Sequence, residues 1–138
     1  MGLRRTPLTA FVVFVSIFIL SSAVTLTAKM KNINTGKAQN LIEENSGNPD
    51  FVILDVRTPE EYAEGHIENA INMNFYEDAF PEELESLDMD KTYLIYCRSG
   101  GRSGSAFKMM KKLGFRNVYN MEGGFTSWQQ KKYPVAGS

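Results

Sequence analysis

Two short runs, Phe51-Val52-Ile53-Leu54 and Thr92-Tyr93-Leu94-Ile95-Tyr96, constrain this chain more than any other feature. Neither alternates apolar with polar residues, and both are rich in β-branched or aromatic side chains. Strands of this kind are buried on both faces, which is the habit of a parallel sheet covered by helices. Helix signals fill the spaces between them. Residues 35–45 place Ala38, Leu41 and Ile42 on one face at spacings of three and four. Thr58-Pro59-Glu60-Glu61 has Thr at the N-cap, Pro in the first turn and Glu three residues after the Thr, a helix start that Gly65 ends. Residues 81–87 suggest a turn or two of helix. Residues 105–113 read as a helix with Ala106, Met109, Met110 and Leu113 inward and Gly114 as its stop. Shorter strands are expected over 70–73 and 117–120, and a terminal helix over 124–131. The alternation predicts an α/β fold with a mostly parallel sheet and helices on both faces.

The first 28 residues stand apart. Arg4 and Arg5 precede a segment, 6–28, that carries no charge, and Leu8–Leu20 is almost wholly apolar. Two readings stand. One is a secretory signal peptide, with Ser21-Ser22-Ala23 a better cleavage site than Leu26-Thr27-Ala28. The other is an uncleaved N-terminal hydrophobic helix, since the 21 residues 8–28 just suffice to cross a bilayer. Either predicts an exported domain over 29–138, periplasmic or held at the inner membrane with the domain on the periplasmic side. The basic pair favours an N-terminus left in the cytoplasm, against Lys29 and Lys31 at the far end.

Composition narrows the chemistry. A net charge of -1 and a pI of about 5.9 count against a nucleic-acid partner. One Cys excludes an internal disulfide framework and any multi-cysteine metal site, and one His argues against a multi-histidine zinc site. Chemistry here rests on few groups.

Those groups gather in Cys97-Arg98-Ser99-Gly100-Gly101-Arg102-Ser103, between a buried strand and a helix. Ligands of open α/β sheets bind at that end of the strands. Gly100 and Gly101 let the backbone curl with its N–H groups inward, and the helix starting near Ser103 adds its positive end. With Arg98 and Arg102 alongside, the Cys97 thiolate is expected to be favoured, and an anionic substrate to be held by the same donors. A lone Cys is more often a small buried hydrophobe. A core Cys, however, has no use for two Arg and two Gly directly after it.

From about Asn34 onward the chain resembles the single-domain rhodaneses, which are sulfurtransferases. The resemblance rests on Asp55-Val56-Arg57, Pro59-Glu60-Glu61-Tyr62, Gly65-His66-Ile67, Asn69-Ala70-Ile71-Asn72, the Cys97–Ser103 loop, Leu113-Gly114-Phe115, and Met121-Glu122-Gly123-Gly124 with Trp128. It implies a rhodanese-like five-stranded sheet. It implies Cys97 as nucleophile, with Arg98, Ser99, Gly100, Gly101, Arg102 and Ser103 as the substrate-binding loop. It implies transfer of sulfur from thiosulfate, or a similar anionic donor, to a thiol or cyanide through a Cys97 persulfide. The alternative within the same fold is a persulfide carrier or protein-interaction module. Related dual-specificity phosphatases carry Cys-x5-Arg, whereas Cys97 to Arg102 is Cys-x4-Arg, a tighter ring for a tetrahedral phosphate. The family pattern further implies that Asp55 and Arg57 form a structural pair and that His66 has a hydrogen-bonding role. Trp128 reads as core and the acidic stretch from Glu77 to Asp90 as a solvated face.

Overall fold

The computed structural model describes Gly2 and residues 27–137; the expected N-terminal hydrophobic helix lies outside the described residues. The elements run β1 (Lys29–Ile33), α1 (Thr35–Glu44), β2 (Phe51–Asp55), α2 (Pro59–Ala63), β3 (Ile71–Asn72), α3 (Phe80–Glu85), β4 (Thr92–Tyr96), α4 (Gly101–Leu113), β5 (Asn117–Met121) and α5 (Gly124–Gln130). The five strands form one sheet in the order β1-β5-β4-β2-β3, and every pairing is parallel. Among the described residues no helix is long and apolar enough to cross a membrane.

The continuous apolar runs divide between two cores because successive side chains of a strand point to opposite faces. In β4, Tyr93 and Ile95, then Cys97, join Ala106 and Met110 of α4 and Leu84 of α3. Leu94 and Tyr96 join Ala38 of α1 and Phe125 and Trp128 of α5. Strand β4 is thus wrapped on both faces, and it is flanked by β5 and β2. The chain leaves β2 toward the second core, where Tyr62 of α2 packs, and leaves β4 toward the first, where α4 packs. Neighbouring strands whose connections depart to opposite faces open a crevice at their carboxyl ends. Cys97 sits at that crevice.

One strand and one helix start differ most from those read in the sequence. Strand β1 is not signalled at all. It reads Lys-Met-Lys-Asn-Ile, only Ile33 is buried, and it forms the sheet edge against β5. An edge strand needs no apolar pattern, and its lysines are what protects it from further pairing. Helix α4 begins at Gly101 rather than 105, because Gly100 at φ 115° turns the chain directly into the helix. Gly101, Arg102 and Ser103 therefore form its first turn. The start of α2 is as read: the Thr58 side chain accepts from the Glu61 N–H, and the Glu61 side chain accepts from the Thr58 N–H.

Candidate active site

Cys97 follows directly on β4 and is 1% exposed. The Gly100 N–H donates to its Sγ at 3.1 Å. The left-handed turn at Gly100 is what brings that donor back over the sulfur. Ser103 is fully buried beneath the loop, its Oγ 3.4 Å from the Gly100 carbonyl. Burial pushes the Cys97 thiol up. The Ser103 hydroxyl and the N–H groups of Ser103, Gly100 and Ser99 outweigh it and bring the thiol below its ordinary value. The sulfur thus stands at the start of a 13-residue helix with the Gly100 N–H on it, a setting that favours an anion at this position.

The floor of the loop is built by a segment that sequence reasoning valued little. The Phe125 N–H donates to the Cys97 carbonyl at 2.8 Å and the Thr126 N–H to the Arg98 carbonyl at 3.0 Å. The first turn of α5 thus satisfies the two carbonyls at the base of the loop. This approach is possible only because residue 124 is glycine: a Cβ there would stand 2.5 Å from both carbonyl oxygens. The Gly-Gly pair after a strand is the available sequence signal, but which loop it would touch is invisible until the sheet is assembled.

The two arginines part company. The Arg98 side chain is 72% exposed at the rim of the loop. Arg102 is 15% exposed and forms a bidentate pair with Glu61, Nη1 to Oε2 at 2.7 Å and Nη2 to Oε1 at 3.0 Å. Arg102 keeps its charge within electrostatic reach of Cys97, but its hydrogen bonds go to a carboxylate. Its hydrogen bonds hold the Glu61 carboxyl at about 2. Arg102 also lies 5.3 Å from the centre of the Tyr76 ring. Glu61 and Tyr76 are the residues of this site that the sequence did not reveal. Glu61 reads as a capping residue, which it is, and 41 positions separate it from its partner. Gly101 and Ser99 are exposed on the outer side of the loop.

The remaining candidates hold the frame. Asp55 and Arg57 form a buried pair at 2.6 Å, and Arg57 also donates to the Gly65 carbonyl at 2.7 Å and lies 4.1 Å from the centre of the Phe125 ring. His66 stacks on Tyr62 with ring centres 3.7 Å apart, and its Nδ1 meets the Tyr62 carbonyl at 2.9 Å. Its backbone pairs with Ala136. Trp128 is core, its indole N–H donating to the Pro134 carbonyl. The charged side chains of the 77–90 stretch are exposed. A cavity of about 540 Å³ lies elsewhere, bordered by Ile42, Phe51, Ile67 and Trp128, and no residue of the Cys97 loop lines it.

Known proteins share this fold. The family model for the rhodanese-like domain matches residues 37–131. The chain is 37% identical over 106 residues to the Bacillus subtilis protein YtwF, covering 77% of this chain and 97% of that one. It is 38% identical over 80 residues to the thiosulfate sulfurtransferase GlpE of Coxiella burnetii, covering 58% of this chain and 73% of the relative. A crystal structure of a rhodanese-related protein from Thermoplasma volcanium superposes with a TM-score of 0.65 at 32% identity, covering 78% of this chain and 99% of that one.

Proposed function

Because the chain belongs to the rhodanese-like family, we propose that it is a sulfurtransferase whose sulfur-carrying group is Cys97, with thiosulfate or a similar anion as donor. The observation that carries this reading is the cradle itself: a buried thiol, lowered by loop donors, with the Gly100 N–H 3.1 Å from the sulfur.

The chemistry follows from the charges. The Cys97 thiolate attacks the outer sulfur of thiosulfate, the S–S bond to the sulfonate sulfur breaks, and sulfite leaves with the bonding pair. Cys97 becomes a persulfide anion, and the N–H groups that held the thiolate hold its terminal sulfur. Cyanide or a thiolate then attacks that sulfur, and the pair in the breaking S–S bond returns to Cys97. No electrons are gained or lost overall, and neither step needs a metal or cofactor. Arg98 is the charge exposed to attract the donor. Ser99, Gly100, Gly101 and Ser103 shape the loop that receives it, and Arg102 fixes one side of it.

A second reading has one observation in its favour. Tyr76 is 67% exposed and lies against Arg102, so an apolar ring stands beside the loop where a partner protein could dock. On that reading the domain carries persulfide to a protein acceptor. For the segment 1–28 we retain export, with cleavage or anchoring as its two forms.

Thiocyanate formation from thiosulfate and cyanide by the full chain, beside Cys97→Ser, tests the reading. Turnover with ping-pong kinetics that vanishes in the variant is expected. A folded wild type that forms a persulfide yet turns over poorly moves the assignment to the carrier. A wild type that forms no persulfide removes both.

A further inference from the structure

Glu61 stands where three elements meet. Its carboxylate accepts from the Thr58 N–H at 3.1 Å, completing the cap of α2. The same two oxygens take both terminal nitrogens of Arg102, from the first turn of α4. Nη1 of Arg98 lies 3.9 Å away. The charged groups that face Glu61 are Arg102, Arg98 and Arg57; those that act on Arg102 are Glu61, Cys97 and Tyr76. Arg102 therefore has two anions within its electrostatic reach, the Glu61 carboxylate and a Cys97 thiolate, and its bidentate hydrogen bonds go to the first.

The consequence concerns the sulfur. A guanidinium turned to a thiolate stabilises it strongly and so makes it a poorer nucleophile, since nucleophilicity falls as thiol basicity falls. It would also bind the terminal sulfur of a persulfide tightly and hinder its release. Backbone N–H dipoles stabilise the same anion more gently. We propose that Glu61 is a positioning residue for Cys97: it holds the Arg102 guanidinium in a fixed pair, so that loop N–H groups rather than a full cation face the reactive sulfur. This rests on the reading of Cys97 as the sulfur-bearing nucleophile, and it adds a residue outside the loop to that machinery.

The exchange Glu61→Gln isolates the charge, because Gln at the third helical position still completes a capping box. Cys97 is the only cysteine, so its ionisation is read without interference from thiolate absorbance and from the pH dependence of alkylation. The measurement is made on the full chain for wild type, Glu61→Gln, Arg102→Gln and the double variant. In Glu61→Gln the freed guanidinium turns to its remaining anion, and the thiol pKa is expected to fall by roughly half a unit or more. The kcat for sulfur transfer, measured well above that pKa, is expected to drop several-fold. The double variant should return to the Arg102→Gln value, since without the guanidinium there is nothing for Glu61 to withhold. A Glu61→Gln thiol that is unmoved or raised, in protein of native circular dichroism, overturns the proposal and leaves the pair a structural tie. Should Glu61→Gln fail to fold, Glu61→Asp takes its place: the same fall, smaller in size, is expected, and an unmoved thiol again overturns the idea. Thiol ionisation is measured without sulfur transfer, so a failed thiocyanate assay and a failed charge cycle remain separate results.

Discussion

At the scale of single residues, the glycines of this site differ in kind. Gly124 has φ 57°, and a Cβ on it would collide with two backbone carbonyls, neither of which can swing away. Gly101 has open space at its Cβ position and sits inside a helix turn. Gly124→Ala is therefore expected to cost more than about 2 kcal/mol in denaturant unfolding and to abolish thiocyanate formation. Gly101→Ala should unfold within about 0.5 kcal/mol of wild type. Glu61 supplies a prediction in pH. Its carboxyl is lowered to about 2 in the folded chain, chiefly by the hydrogen bonds from Arg102. A lowered acid stabilises the fold above its ordinary pKa, and that stabilisation disappears as pH falls through the folded value. It is on the order of 3 kcal/mol at 1.36 kcal/mol per pKa unit. The stability gap between wild type and Glu61→Gln should be full at pH 6 and close between roughly pH 4 and pH 2. A gap that persisted unchanged at pH 2 would show that the carboxylate charge is not its source.

At the scale of elements, two junctions carry the site. The first is the end of β2, where Asp55 and Arg57 are 0% and 3% exposed. Asn72 donates to the carbonyls of both, linking β3 to the same junction. Asp55→Ala would leave a buried guanidinium with the Gly65 carbonyl as its remaining hydrogen-bond acceptor, and a loss of about 3–5 kcal/mol in chemical unfolding is expected. The second is the outer edge of the sheet. Strand β1 pairs with β5 from Lys29 to Ile33, and the Lys29 N–H donates to the Arg116 carbonyl. Removal of residues 29–33 would bare β5, and size-exclusion chromatography is expected to show association through that edge together with a lower melting temperature. A chain cut just before 29 keeps this strand and with it the whole sheet.

At the scale of the whole molecule, one strand end collects residues from four distant parts of the sequence: Glu61, Tyr76, the Cys97–Ser103 loop and Gly124–Thr126. Alkylation of the full chain should show a single thiol whose midpoint lies below that of a free cysteine, because the loop donors exceed the effect of burial. A midpoint at or above the free value would mean that the cradle is open in solution. Much of this was legible beforehand. The apolar runs of β2 and β4, the capping box of α2 and the order Cys-Arg-Ser-Gly-Gly-Arg-Ser are local patterns, and local backbone chemistry decides them: which residues tolerate burial on two faces, which side chain can cap a helix, which residue can turn at positive φ. They determined the α/β class, the strand–loop–helix junction and the identity of the nucleophile candidate. Strand β1, the partner of Arg102 and the floor beneath Cys97 were decided only by tertiary structure. An edge strand takes its hydrogen bonds from a neighbour 88 residues away in sequence, rather than from its own apolar pattern. A guanidinium takes whichever carboxylate the fold brings within reach. A glycine is obligatory only when another chain segment occupies the space its side chain would need.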